Sequence, residues 1–281
     1  MKKIIYKSVG TYLNTLASIH SERAGKRGYK LFCSPVRTKV KPHHYDFLAP
    51  AKYKAIHSQG HPIQLYKWGS GDRHVLFLHG WQSHTFRWKK YIQAFPMDEY
   101  TIYGMDAPAH GLSGGNMVNA IIYAEAITDV LSEISHAETI IGHSFGGFSA
   151  MYALHKHPYL SVQKVALLGT PGKATEFFDT GKKLLGLKSK ADQAIRQHFF
   201  KLYGQDINDF ETINFIDNID AKGLIIHDKN DREADFEYAT KLSQEWHNSI
   251  FIPTEGLGHK LYSDQIVRHL LDFVESDHVS I

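Results

Sequence analysis

The sequence predicts an α/β fold, with a mostly parallel, doubly wound sheet and an inserted helical segment. Three observations lead there. From about residue 74 onward, short apolar runs alternate with longer stretches of helical periodicity. Several of those runs, such as His74-Val-Leu-Phe-Leu78, are apolar almost throughout, as strands covered on both faces must be. The rhythm breaks once, between Pro171 and Ile219, where helical pattern continues with no strand signal. Repeated βα units imply parallel neighbours with right-handed crossovers. The interruption is too long for a crossover and is expected to be an inserted cap.

In chain order, Val9, Leu13, Leu16 and Ile19 recur at helical spacing, and Gly- and Pro-punctuated coil is expected after them to residue 50. Tyr53–His57 and Ile63–Trp68 alternate in polarity around Ser58-Gln59-Gly60, which predicts a hairpin. Strands are predicted at His74–Leu78, Thr101–Met105, Thr139–His143, Lys164–Leu168, Gly223–His227 and Ser249–Ile252. Helices are predicted at Phe86–Phe95, Val118–Ile134, after Ser144 to about His157, at Asp235–His247 and at Ser263–Val274. Within the insertion the helical pattern covers Phe177–Leu185 and Ala191–Tyr203. The domain reading is a basic extension at 1–50, a core at 51–170 and 220–281, and a cap at 171–219. Such a cap is expected over the carboxyl ends of the strands, where open α/β sheets bind ligands.

With 281 residues, one large domain with an insertion can bury a sizeable core. Residues 1–50 hold ten Lys and Arg against Glu22 and Asp46, a net of +8, while the whole chain is +3. A basic arm of this kind suits a solvated extension on an acidic body, or weak contact with an anionic membrane surface. No aromatic stacking pattern or nucleic-acid motif accompanies it, so no nucleic-acid partner is expected. Residues 171–205 are also basic, seven against three, which would steer an anionic substrate. The one cysteine, Cys33, excludes an intramolecular disulfide and suits a reducing compartment. No apolar run is long enough to span a membrane. Lys7 interrupts the first apolar run, so no signal peptide is expected and the location is expected to be cytoplasmic.

The chemistry centres on Thr139-Ile-Ile-Gly142-His143-Ser144-Phe145-Gly146-Gly147. This is G-x-S-x-G between a strand and a helix. A serine on so sharp a turn needs a strained backbone, and side chains at either flank would clash. A serine hydroxyl needs a base, and the base needs an orienting acid. Nineteen histidines make a histidine alone uninformative. His259, in Glu255-Gly-Leu-Gly-His259 after the last strand, has the position. Asp228, Asp231 and Asp235 follow the Gly223–His227 strand and are the acid candidates.

Four motifs occur in order, each just past a predicted strand: His79-Gly80-Trp81, Asp106-Ala-Pro-Ala-His110-Gly111-Leu-Ser113, Gly142-His-Ser144-Phe-Gly146 and Gly258-His259. From Tyr53 to Val274 the chain resembles the α/β-hydrolase fold. The resemblance implies a serine hydrolase in which Ser144 attacks, His259 is the base and Asp231 the acid. It assigns Asp235 to a helix cap and Asp228 to loop bracing. Some members carry the acid after the preceding strand, but Gly169-Thr170-Pro171 offers no carboxylate here. The backbone N–H groups of Trp81 and Phe145 are the implied oxyanion hole. The resemblance makes His79 and His143 parts of their loops rather than bases. Trp81 and His143 are the candidates for lining the substrate pocket. Asp106–Ser113 is expected to brace the site from behind.

The expected substrate is a small ester or related acyl compound. Thioesterase, carbon–carbon bond hydrolase and aminopeptidase chemistry, or a non-catalytic binding protein, are the alternatives on the same fold. No cofactor is required, and no ligand spacing for a metal occurs around the His43-His44, His57/His61 or His155/His157 pairs.

Overall fold

A computed structural model describes residues 2–134 and 137–276. In order, the elements are α1 (Lys2–Ile19), α2 (Ser21–Phe32), α3 (Pro42–Leu48), β1 (Lys52–Ser58), β2 (His61–Gly69), β3 (Arg73–Leu78), α4 (Lys89–Ile92), β4 (Tyr100–Met105), α5 (Ala120–Glu133), β5 (Thr139–His143), α6 (Phe145–Lys156), β6 (Lys164–Leu168), α7 (Ala174–Leu185), α8 (Ser189–Tyr203), β7 (Lys222–Asp228), α9 (Phe236–Glu245), β8 (Ser249–Thr254) and α10 (Asp264–Glu275). They fall into two compact units, one of residues 1–34 with 173–214 and one of 35–172 with 215–281.

The larger unit is an eight-stranded sheet in the order β1-β2-β4-β3-β5-β6-β7-β8. β2 runs antiparallel to β1 and β4, and the other pairs are parallel. The predicted hairpin turns at Gln59-Gly60, both at positive φ, and pairs Ser58 with His61. Positive φ at both turn residues matches the twist of the flanking strands. The sheet interior is apolar on both faces. Val75, Phe77, Ile141, Ala166, Leu224 and Ile226 join a cluster with Trp88, Tyr91, Ile266 and Phe273. By strand alternation Leu76, Ile140, Val165 and Ile225 face the other way, and they are equally buried. Two covered faces are why these strands lack polar alternation.

Helix starts follow local chemistry. Asn119, Asp235 and Ser263 accept from the N–H groups of Ile122, Glu237 and Ile266 and begin α5, α9 and α10. The segment expected as a helix over Phe86–Phe95 instead opens as a 3₁₀ turn (Thr85–Trp88), and α4 is short. Asp106 takes both the N–H and the hydroxyl of Thr85 and fixes that tight start.

The smaller unit packs α1 and α2 with α7 and α8. Residues 1–50 are expected to mix one amphipathic helix with Gly- and Pro-punctuated coil, and they contain α2 and α3 besides α1. Gly25 and Gly28 look like breakers in the sequence. In α2 they are contact points, since a Cβ would lie 2.3 Å from the Ala194 carbonyl oxygen at Gly25 and 2.5 Å from Ile195 at Gly28. Removing a side chain lets two helices approach closely, which outweighs the roughly 1 kcal/mol that glycine costs in a helix. Asn14 closes the α7–α8 turn, donating to the Gly186 carbonyl at 3.0 Å and accepting from the Lys188 N–H at 2.8 Å. Tyr29 and Tyr203 share a 2.8 Å hydroxyl contact. Among the described residues, no helix is long and apolar enough to cross a membrane.

Candidate active site

The site forms at the carboxyl ends of β3, β5, β7 and β8. Ser144 follows β5 directly and precedes α6, with φ 52° and ψ −123°. Few non-glycine residues hold such a backbone, and it persists only where surroundings over-determine it. Here they do. A Cβ at Gly142 would lie 2.5 Å from Gly147 Cα, and one at Gly146 would lie 2.5 Å from the Leu78 carbonyl oxygen. The Ser144 N–H donates to the Leu168 carbonyl at 2.9 Å. The turn is therefore wedged between β3 and β6.

His259 lies in a 3₁₀ turn after β8. Its Nε2 is 3.0 Å from Ser144 Oγ and its Nδ1 is 2.8 Å from Asp231 Oδ2. The other Asp231 oxygen accepts from the N–H groups of Glu233 (2.8 Å) and Ala234 (3.1 Å). Burial raises the Asp231 pKa, but the His259 hydrogen bond and these N–H donors outweigh it, and the net displacement is downward. Asp228 sits three residues earlier and is saturated elsewhere. It accepts from Thr254 Oγ1 at 2.8 Å and from the N–H groups of Leu257 and Asn230, each at 2.9 Å. Of the three acid candidates, only Asp231 meets the imidazole. Asp235 caps α9.

The His259 loop is held from outside itself. His143 Nε2 is 2.8 Å from the His259 carbonyl oxygen, Arg87 donates to the Lys260 carbonyl at 3.0 Å, and the Tyr91 hydroxyl donates to the Leu261 carbonyl. Three consecutive carbonyls are thus held by three side chains from two other segments. Burial keeps the His143 pKa well below its usual range, so His143 is neutral and carries its proton on Nε2. Among the described residues Arg87 has no carboxylate partner, and its guanidinium lies 4.7 Å over the Trp88 ring. Burial pushes it down to about 10, which still leaves it cationic at neutral pH. The hydrogen bonds from Arg87 and Tyr91 to the Lys260 and Leu261 carbonyls left no signal in the sequence, because each joins residues more than a hundred positions apart.

The loop after β3 passes against Ser144. A Cβ at Gly80 would lie 3.0 Å from Ser144 Cβ, and the rings of Trp81 and Phe145 meet at 5.6 Å. His79 Nε2 accepts from the Ala107 N–H and His110 Nε2 from the Gln82 N–H, both at 2.9 Å. Each can do so only while that nitrogen is unprotonated, and burial lowers the pKa of both rings. His110 is therefore a fixed acceptor behind the loop. Asp106 accepts from the Thr85 N–H and hydroxyl, the Leu112 N–H and the Tyr66 hydroxyl. Arg37 donates to the carbonyls of His110, Gly111, Ser113 and Gly115, a second brace not anticipated from the sequence.

Trp81, His143, Ser144, His259, Arg87 and Glu233 are among the residues lining a cavity of about 560 Å³. Glu233 reaches to 3.8 Å from His259 Nε2. Among the described residues, no cluster of His, Cys, Asp and Glu could hold a metal ion.

A family model described as the alpha/beta hydrolase fold matches residues 73–203. A pimeloyl-[acyl-carrier protein] methyl ester esterase from Sodalis glossinidius is 28% identical over 103 residues, 37% of this chain and 39% of that protein. The chain therefore matches well under half the length of that relative. The AB hydrolase superfamily protein YisY of Bacillus subtilis is 21% identical over 243 residues, covering 87% of its length. An esterase structure from Pyrococcus furiosus superposes with a TM-score of 0.66 at 17% identity, over 86% of this chain and 97% of that one. The chain has the α/β-hydrolase fold, with the matched model confined to residues 73–203.

Proposed function

We propose that the protein is a serine hydrolase that cleaves a carboxylic ester or related acyl compound through an acyl-enzyme. The carrying observation is the unbroken chain Ser144 Oγ–His259–Asp231, at 3.0 and 2.8 Å, built on a strained nucleophile turn. His259 takes the Ser144 proton as Oγ attacks the carbonyl, and Asp231 holds the imidazole tautomer and stabilises its charge. The N–H groups of Phe145 and Trp81 receive the developing oxyanion. His259 then passes its proton to the leaving alcohol and activates the water that releases the acid. Trp81 and His143 form part of the wall against which the acyl group lies.

The cavity wall carries Arg87, Lys89 and Lys260 against Glu233. This balance supports a preference for esters bearing an anionic group. A cytoplasmic setting is supported by the cysteine count, since Cys33 alone leaves no intramolecular disulfide to form. Turnover of p-nitrophenyl esters of graded chain length, neutral and carboxylate-bearing, tests the reading on wild type and Ser144→Ala together. Turnover in wild type, abolished in the variant, is expected, with the carboxylate-bearing series favoured at low salt. Equal turnover in the variant would rule out the mechanism. Equal use of both series would remove the charge preference alone.

A further inference from the structure

The smaller unit carries an outward face that its own packing does not use. α1 buries Gly10, Leu13 and Ala17 against its neighbours. Between Ile4 and Ile19, its exposed residues are Ile4, Ile5, Lys7, Ser8, Thr11, Tyr12, Thr15, Ser18 and Ile19, and only Lys7 is charged. Ile4, Ile5 and Ile19 are 69%, 60% and 68% exposed, and Tyr12 44%. At 100° per residue these four apolar side chains fall within an arc of roughly 100°, along a helix about 27 Å long. A surface helix normally fills its outer face with charge. This one has instead an apolar and hydroxyl-bearing stripe, bordered by Lys7 and by Arg27, whose guanidinium sits 5.6 Å over the Tyr12 ring.

The charge of the unit indicates what the stripe meets. Residues 1–34 and 173–214 together hold fourteen Lys and Arg against seven acidic residues, a net of +7. Two copies meeting through this face would repel each other. An anionic surface would be attracted, and apolar side chains bordered by cations are the pattern of a helix lying in a membrane interface. We infer that α1 is an interfacial docking helix, which lays Ile4, Ile5, Tyr12 and Ile19 into an anionic lipid surface while Lys7 and Arg27 meet the headgroups. The inference does not depend on the proposed hydrolysis.

Co-sedimentation of the full chain tests it, with vesicles of phosphatidylcholine alone and of phosphatidylcholine mixed with phosphatidylglycerol. Wild type is expected to bind the mixed vesicles and to lose binding as salt is raised. Lys7→Gln should weaken binding about fivefold, the effect of one cation near such a surface. Ile5→Asp and Ile19→Asp should each weaken it more. Both positions are exposed, so thermal unfolding should be unchanged, and the assay runs equally well in Ser144→Ala protein. Binding that is indifferent to the two aspartates would overturn the inference. So would failure of wild type to bind mixed vesicles. Sedimentation velocity supplies a further check: a dimer that either aspartate dissociates would assign the stripe to a second copy instead.

Discussion

Ser144 and His259 reach each other by opposite means. Ser144 is placed by its immediate neighbours: β5 leads into it, α6 leads away, and Gly142 and Gly146 leave no alternative path for the turn. His259 sits in a short 3₁₀ turn with little structure of its own, and its carbonyl row is held by His143, Arg87 and Tyr91. One half of the site is built from local geometry and the other from distant tertiary contacts. Disturbing the first should abolish the site outright. Disturbing the second should misalign it by degrees.

The largest effects should belong to the Ser144 turn. Ser144→Ala should lower kcat by on the order of 10⁶, as loss of a nucleophile does in related chemistry. Gly146→Ala forces a Cβ against two carbonyl oxygens, at 2.5 and 2.6 Å. It should cost about 1–3 kcal/mol of stability in a denaturant titration and remove nearly all activity.

The two aspartates of the β7 loop come next. Asp231→Asn should reduce kcat about 10⁴-fold, because the amide favours the wrong imidazole tautomer. Asp228→Asn should instead act on stability, by about 1–3 kcal/mol, since one oxygen becomes a donor facing groups that already donate. If the activity loss followed Asp228 rather than Asp231, their roles would be exchanged.

The histidine loop should yield a graded response. Tyr91→Phe removes the hydroxyl bound to the Leu261 carbonyl without touching the cavity wall. It should lower kcat by up to about 10²-fold with KM nearly unchanged, because small misplacements at a reacting group are costly. A rise in KM with kcat intact would show that the loop shapes binding rather than alignment.

The smallest effect per group is on pH stability. Burial lowers the pKa of His79, His110, His143 and His227 in the folded chain. The unfolded chain therefore takes up protons near pH 6.5 that the folded chain refuses. Stability should be fully present above that pH and fall below it, by about 1.4 kcal/mol per pH unit for each such ring. Urea titrations between neutral pH and pH 5 check the slope. His79→Gln should flatten it if folding survives, whereas a slope independent of these rings would contradict their neutral, acceptor roles.

The same contrast explains what was legible in the sequence. Strands apolar on both faces, the glycine-flanked serine and the ordered motifs are properties of contiguous residues, and β5 and β6 occur at the predicted bounds. The fold class follows from them. Ser144 and His259, singled out by motif and position, lie within hydrogen-bond reach, and so do His259 and Asp231, the acid that the family resemblance implied. The supports of the site were not legible. Arg37, Arg87 and Tyr91 look like ordinary residues of a coil and a short helix, and their partners lie far along the chain. The same holds for α2, where Gly25 and Gly28 read as helix breakers until the neighbouring helix is in place.

The most direct measurement is to label the folded protein with a fluorophosphonate and map the adduct by mass spectrometry. One adduct is expected, on the peptide carrying Ser144, absent from Ser144→Ala and formed much more slowly in Asp231→Asn. An adduct at another residue, or none on folded wild-type protein, would contradict the proposed role of Ser144.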